Sequence, residues 1–227
     1  MKSEKLPLTA AVMLAAIGMI APAHSAWAND SSEHHSNHSR MMNTDDPHAH
    51  HQHMMTDETK HSMEHYELPK VKLVRDDGKS VFLTEELNDG RPVIMNFIFT
   101  SCTTICPVIS RTFSGIQDEL GSERDKVHIV SISIDPEQDT PPVLRKYASK
   151  YGAGPEWNFY TGTAAASIAV QQAFDVYRGD KMDQPPVTFL RAAPGQPWLR
   201  INGFATAGDL LQDYRALISL KSFRPNQ

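Results

Sequence analysis

Residues 92–107 read PVIMNFIFTSCTTICP and contain both cysteines of the 227-residue chain. The first half of this stretch, residues 92–99, is short and almost continuously apolar, which is typical of a strand that is buried on both faces. The residues from about 108 to 120 have the pattern of a helix. The sequence therefore predicts that Cys102 and Cys106 lie in the turn where a buried strand leads into the N-terminus of a helix.

This predicted turn favours the chemistry of thiolates. Backbone N–H groups and the helix dipole stabilise negative charge at a helix N-terminus and lower the pKa of a cysteine there. A helical spacing of four residues would hold the two Cα atoms roughly 6 Å apart, and a disulfide can close when they are about 4.4–6.8 Å apart. Thiolates are also soft ligands that select Cu(I). Cys102 and Cys106 are therefore predicted to be a redox pair, a pair of metal ligands, or both.

The N-terminal 28 residues have the features of a secretory signal. A positively charged start is followed by an apolar run at residues 6–20 and by the small-x-small sequence AWA at residues 26–28. We expect cleavage after Ala28 and export to the bacterial periplasm. The alternative is an uncleaved signal that acts as a membrane anchor, and only in that case do we expect membrane contact.

Residues 29–66 are low in complexity and contain nine histidines and five methionines. They offer little apolar surface to bury, so we predict a disordered tail. Imidazole binds copper, zinc or nickel, whereas thioether selects Cu(I), so the mixture points first to copper. The alternative is a solvated linker with no specific metal. The candidate metal ligands are His48, His50, His51, His53, Met54 and Met55.

The charge pattern excludes one class of partner. The net charge is −5 with neutral histidines, and the chain has no basic stripe, so nucleic acid is not an expected partner. Residues 67–227 are sufficient for one well-packed domain.

Strands and helices alternate through this domain and end in a hairpin and a helix. We predict an α/β fold of the thioredoxin-like three-layer type, with a central mixed sheet flanked by helices and an added N-terminal hairpin. The predicted elements beyond those already given are a hairpin at 71–74 and 80–83, strands at 126–134 and 157–160, helices at 142–151 and 164–174, a hairpin at 187–191 and 198–204, and a helix at 207–220.

Two segments of this domain carry a resemblance to a known family. Residues 97–107 are similar to the Cys-x-x-x-Cys-Pro motif of the Sco/SenC family of copper-handling, thioredoxin-like proteins, and residues 130–141, VSISIDPEQDTP, are similar to its Ser-Ile-Asp-Pro-x-x-Asp-Thr-Pro segment. The resemblance extends over roughly residues 66–220. It implies that Cys102 and Cys106 bind copper and that the protein helps to assemble the copper centre of cytochrome oxidase. The implied partner is an apo copper protein such as the copper-site subunit of the oxidase.

The sequence departs from this family at the third copper ligand. The family has a histidine in the loop before a late strand, and the best match here is Gln184, with no histidine after His128. His128 itself falls in an apolar strand and is predicted to be packed rather than to bind metal. Without an imidazole the site should favour Cu(I) over Cu(II), because Cu(II) prefers nitrogen ligands and tetragonal geometry. Met182 or a tail histidine can replace the missing ligand; otherwise Met182 is an ordinary loop residue.

Three further residues have two interpretations each. Pro186 matches the position at which thioredoxin-like oxidoreductases carry a cis-proline that seats a partner's backbone, or it only shapes the start of a loop. Asp135 either takes a proton from a thiol and orients a ligand, or it fixes the turn after the strand. Asp139 has the same functional interpretation as Asp135, or it caps the next helix, where Thr140 is the alternative cap; we favour capping for Asp139.

Two functions from different classes follow. One is a copper chaperone that holds Cu(I) at the cysteine pair and gathers copper with its tail. The other is a periplasmic thiol–disulfide oxidoreductase that acts on the cysteines of a copper-site apoprotein, with Cys102 attacking and Cys106 resolving the mixed disulfide. A peroxiredoxin fits the Thr-x-x-Cys spacing at residues 103–106, but Phe99 stands where that family has a proline. A purely structural disulfide is disfavoured because so short a loop constrains the unfolded chain little.

Overall fold

The structure is a computed structural model, and it describes residues 59–222. The predicted signal at residues 1–28 and the tail candidates His48, His50, His51, His53, Met54 and Met55 lie outside the described residues. Within residues 59–222, no helix is long and apolar enough to cross a membrane.

Eight strands of the described chain form one mixed sheet. In chain order they are β1 (Lys60–Glu64), β2 (Lys72–Arg75), β3 (Ser80–Phe82), β4 (Val93–Ile98), β5 (His128–Ser133), β6 (Trp157–Thr161), β7 (Val187–Arg191) and β8 (Trp198–Asn202). The order across the sheet is β1-β8-β7-β4-β5-β6-β2-β3. Only β4 with β5 and β5 with β6 are parallel pairs, and the other neighbours are antiparallel.

Five α-helices accompany the sheet in the described residues. They are α1 (Leu83–Glu86), α2 (Ile105–Leu120), α3 (Pro141–Lys150), α4 (Ala164–Ala173) and α5 (Ala207–Ser222). There are also two 3₁₀ segments: Gly121–Lys126 follows α2, and Lys181–Asp183 precedes β7.

The helices cover both faces of the sheet. Phe113 of α2 contacts Trp157 of β6, with ring centroids 5.8 Å apart, on one face. Phe174, which ends α4, contacts Phe97 of β4 at 5.9 Å and Phe189 of β7 at 5.2 Å on the other face. Side chains alternate between the faces of a strand, so α2 and α4 lie on opposite sides. The predicted three-layer, thioredoxin-like architecture is confirmed.

Strands β4 and β5 form the centre of the sheet and position the cysteine turn. All six residues of each strand are buried, which explains why both read as continuous apolar runs. Their register runs from Val93 opposite His128 to Ile98 opposite Ser133. Because the strands are parallel, the loops after Ile98 and after Ser133 emerge at the same edge of the sheet.

The added N-terminal hairpin is observed as β2 and β3, which extend the sheet beyond β6. The predicted disordered tail, however, is wrong over residues 60–64, because these residues form β1 and pair antiparallel with β8. The edge of β8 offers unpaired backbone groups, so a polar segment gains strand structure there from main-chain hydrogen bonds. Composition alone cannot reveal a strand of this kind.

Candidate functional site

The cysteine turn connects β4 to α2, as the sequence predicts. Cys102 lies in the turn and is 7% exposed, whereas Cys106 lies in the first turn of α2 and is fully buried. The N–H group of Cys102 donates to the carbonyl oxygen of Phe99 at 3.1 Å, which closes the turn directly after β4. The pair therefore has one sulfur near the surface and one inside the core.

The two thiols are free, and the sulfur of Cys102 accepts a hydrogen bond from the backbone of Cys106. The backbone N–H of Cys106 donates to Sγ of Cys102 at 3.4 Å, and Oγ1 of Thr104 lies 3.8 Å from the same sulfur. Burial raises the pKa of Cys102, but the hydrogen bonds from Cys106 and Thr104 outweigh burial, so the net pKa is lowered. Burial raises the pKa of Cys106 far above its ordinary value, and the Cys102 side chain raises it further. Cys102 consequently has the more acidic thiol of the pair, which is the property that a nucleophilic cysteine requires.

Asp139 holds the backbone that precedes the cysteines. Its buried carboxylate accepts hydrogen bonds from the N–H of Thr100 at 3.2 Å, from Oγ1 of Thr100 at 2.5 Å and from Oγ of Ser133 at 2.6 Å. Of the two residues predicted as the cap of the next helix, Thr140 is the N-cap of α3, although its side chain accepts no cap hydrogen bond, and the preference for Asp139 is wrong. The negative charge of Asp139 also contributes to the raised pKa of Cys106. Asp139 thus ties the ends of β4 and β5 together beneath the site.

Asp135 lies in the turn after β5 and is 9% exposed. Its N–H donates to Oγ of Ser133 at 3.0 Å, and its carboxylate accepts from Nζ of Lys181 at 2.6 Å. Among the hydrogen bonds of the described residues, none joins Asp135 to a cysteine. Lys181 also lies over the Phe99 ring, 5.5 Å from its centroid. The ion pair therefore fastens the loop before β7 to the edge where the cysteines lie.

The loop before β7 reaches the same edge of the sheet. Strand β7 is antiparallel to β4 with Thr188 opposite Asn96, so residues 184–186 are level with the end of β4. Met182 is 66% exposed. Gln184 is buried, and its Nε2 has no hydrogen-bond partner among the described residues. Pro186 is half-buried, and its carbonyl accepts from the N–H of Gly203 at 3.0 Å.

His128 lies at the opposite end of β5 from the cysteines and is packed, as predicted. Its Nδ1 is 3.1 Å from the carbonyl oxygen of Glu86, and its Nε2 is 3.1 Å from both Oδ1 of Asn158 and the hydroxyl of Tyr160. Burial lowers its pKa. Within residues 59–222, no three His, Cys, Asp or Glu side chains are grouped closely enough to hold a metal ion. The described part of the site therefore offers two thiols and no imidazole.

Sequence reasoning missed two contacts that build this site, Thr100 with Asp139 and Lys181 with Asp135. These partners are separated by 39 and 46 residues respectively. No local pattern connects residues so far apart, and each pair forms only because the strand ends meet at one edge.

Comparison with known proteins identifies the family. The profile described as SCO1/SenC matches residues 59–218. The chain therefore belongs to the SCO1/SenC family.

Individual relatives agree with this assignment. A SCO1 protein homolog of Bacillus subtilis (strain 168) is 37% identical over 105 residues, which are 46% of this chain and 53% of that protein. The chain spans about half the length of the curated relatives it matches.

Two solved structures have the same fold. Bradyrhizobium japonicum ScoI with copper bound is similar with a TM-score of 0.55 and 26% identity, over 64% of this chain and 96% of that chain. BsSco, a member of the Sco family of cytochrome c oxidase assembly proteins in which a disulfide switch was identified, has a TM-score of 0.58 and 27% identity, over 70% of this chain and 97% of that chain.

Proposed function

We propose that this chain is a copper-handling protein that carries Cu(I) between Cys102 and Cys106. In this role copper is the cargo of the protein. The observation that carries the proposal is the cysteine pair itself, in which the N–H of Cys106 lies 3.4 Å from Sγ of Cys102 at the start of α2. The copper bound in the related Bradyrhizobium japonicum ScoI supports the same metal here.

The ligand chemistry favours Cu(I) over Cu(II). Cu(I) is soft, and thiolates select it, whereas Cu(II) prefers nitrogen or oxygen in a tetragonal arrangement. The described residues place no imidazole at the cysteine edge, and Gln184 stands in the loop where the resemblance would place a histidine. A Cu(I) ion held by two thiolates needs no such ligand.

The cargo has a proposed destination and a proposed compartment. We infer that the recipient is an apo copper protein, such as the copper-site subunit of cytochrome c oxidase, because BsSco belongs to a family of assembly proteins for that enzyme. We also propose a periplasmic location, which rests on the signal features of residues 1–28, and collection of copper by His48, His50, His51, His53, Met54 and Met55.

A competition titration tests the cysteine site. The reduced full-length chain is titrated with Cu(I) in the presence of a chromophoric chelator, beside the Cys102→Ser and Cys106→Ser variants and a Thr103→Ser control. We expect the wild type and the control each to have one additional tight Cu(I) site that both cysteine variants lack. Equal numbers of tight sites in all four proteins would assign copper to the tail and refute the cysteine site.

The different acidities of the two thiols support a second candidate, thiol–disulfide exchange. The Cys102 thiolate would attack one sulfur of a partner disulfide, form a mixed disulfide and release the first partner thiolate. Cys106 would then lose its proton and attack Sγ of Cys102, which releases the second partner thiolate. The partner gains two electrons, and the Cys102–Cys106 pair is oxidised to a disulfide.

Trapping distinguishes this candidate from copper transport. The metal-free Cys106→Ser variant is mixed with an oxidised peptide that contains two cysteines, and the products are separated without reductant. Exchange predicts that a mixed disulfide accumulates on Cys102 and that wild type reduces the peptide. The Cys102→Ser variant, mixed with the same peptide, is the control. If neither reaction is faster than in this control, the exchange function is wrong.

A further inference from the structure

Strand β1 places a histidine and a methionine side by side on the edge of the sheet. Ser62 pairs with Arg200, whose guanidinium lies over Phe189 on the face that α4 covers. Neighbouring residues of a strand face opposite ways, so His61 and Met63 both lie on the other face. Two residues along a strand span roughly 6.6 Å, a gap that an imidazole and a thioether can close around one ion.

Helix α5 orients the imidazole of His61. Its Nε2 lies 2.9 Å from Oδ2 of Asp213. An ionised carboxylate only accepts hydrogen bonds, so Nε2 carries the proton in this contact. In the neutral form of the ring, this contact leaves the lone pair on Nδ1. Metal-binding histidines typically donate their second nitrogen to a carboxylate in this way, and the carboxylate sets the tautomer and the ring orientation.

Both candidate ligands are accessible. The side chain of His61 is 41% exposed, and Met63 is 51% exposed although methionine is ordinarily a core residue. A thioether selects Cu(I), and imidazole binds copper as well. We propose that His61 and Met63 form a second Cu(I) site on the edge strand, with Asp213 as the residue that positions His61.

The register places this site on the cysteine-bearing side of the sheet. His61 pairs with Ile201, Ile201 with Thr188, and Thr188 with Asn96 of β4. Directly paired residues share a face, so His61 and Asn96 lie on the same side of the sheet. Three strand spacings separate them, about 14 Å. The pair is therefore a separate site from Cys102 and Cys106, located where the histidine-rich and methionine-rich sequence joins the folded domain.

The test follows the two side chains separately in the full-length, reduced protein. Ag(I) serves as a redox-stable, diamagnetic probe for a Cu(I) site. The methyl resonance of Met63 is assigned with Met63→Leu, and the ring nitrogens of His61 are assigned with His61→Gln. We expect the Met63 methyl and the Nδ1 of His61 to shift together with one midpoint.

Asp213→Asn should weaken Ag(I) binding at both nuclei by roughly 10–100-fold, the usual effect of removing a carboxylate behind a ligating histidine. Asp213→Glu should restore most of the affinity. Glu64→Gln, on the opposite face of β1, is the matched control and should leave the midpoint unchanged. Backbone amide spectra establish that each variant is folded.

Two results would overturn the site. One is that the Met63 methyl stays fixed while other methionine methyls shift. The other is that His61 and Met63 titrate independently or ignore Asp213→Asn. The followed signals belong to His61 and Met63, and every variant keeps both cysteines, so a change in midpoint between variants reports on this site and not on the proposed cysteine site.

Discussion

The two ends of strands β4 and β5 differ in how fully their metal-binding groups are satisfied. At the start of β5, both ring nitrogens of His128 have hydrogen-bond partners in a buried pocket. At the other end, Cys102 is 7% exposed, and its sulfur has only the N–H of Cys106 and the hydroxyl of Thr104 as hydrogen-bond partners among the described residues. A potential ligand becomes available only where the fold leaves its lone pairs unused. His128 therefore has a packing role, whereas the free thiols of Cys102 and Cys106 are the groups that we propose to react.

Placing an imidazole at the cysteine end should produce the largest change in metal binding there. Gln184→His adds a nitrogen ligand in the loop that reaches this edge, so we expect the affinity for Cu(II) to rise by more than ~100-fold. This is more than the change caused by mutating a residue behind a metal ligand, because here a direct ligand is added. A thiolate-to-Cu(II) charge-transfer band in the visible spectrum measures the effect. Gln184→Asn is the control. Identical Cu(II) spectra for both variants would mean that residue 184 does not face the thiols.

Within the cysteine end, the two sulfurs should react at very different rates. The lowered pKa of Cys102 and the raised pKa of Cys106 should make Cys102 react with iodoacetamide at least roughly 100-fold faster at pH 7.5, because each pKa unit changes the thiolate fraction about tenfold. Peptide mass spectrometry of a quenched time course gives both rates. Thr104→Val should slow Cys102, since it removes a hydrogen bond to the sulfur. Comparable rates in wild type would contradict the assignment of the nucleophile.

Asp139 supports the cysteine end, so its removal should cost stability. Asp139→Asn leaves one oxygen to accept from Thr100 and Ser133, and we expect a loss of about 1–3 kcal/mol in the free energy of unfolding, the cost of buried groups left unpaired. The pKa of Cys106 should fall, because the nearby negative charge is gone. Urea unfolding and alkylation against pH measure these effects. Glu137→Gln, at an exposed neighbouring residue, is the control and should change neither the free energy of unfolding nor the pKa of Cys106. A similar change in this control would contradict the role assigned to Asp139.

His128, at the opposite end of β5, should make the free energy of unfolding depend on pH. Burial lowers the pKa of His128 in the folded state, so below about pH 6.5 the unfolded chain binds more protons than the folded one. Stability is then fully present above pH 6.5 and falls on acidification, by at most about 1.4 kcal/mol per pH unit for one group. Thermal unfolding between pH 5 and pH 7.5 measures the slope.

His128→Gln should flatten this slope, whereas the exposed control His65→Gln should keep it. The carboxyl groups whose pKa is lowered, such as Asp77 and Asp89, titrate below about pH 4 and do not contribute in this range. An unchanged slope in His128→Gln would assign the acid sensitivity to another group.

Local sequence was sufficient for the central strands, the cysteine turn and the fold class. Residues 92–99 have too many consecutive apolar side chains for a half-exposed strand, and the Cys-x-x-x-Cys spacing places both cysteines at the junction of this strand with the next helix. Predicted element positions differ from the observed ones by a few residues at most, as for α2, which begins at Ile105 and so already includes Cys106. These features depend on neighbours in the chain, which is why they could be predicted.

The tertiary structure decided what local patterns do not encode. The strand β1 exists because β8 offers it an edge, and its His61 meets Asp213 across 152 positions of sequence. Asp139 has the residue type of a helix cap and lies next to the N-cap of α3, yet it bonds to Thr100 because parallel strands bring their carboxyl ends together. The sequence determined which thiols are present and the turn that holds them. Only the packing of distant strands decided which sulfur is buried, which histidine is fully bonded and which side chains line the cysteine edge, because these depend on contacts between residues far apart in the chain.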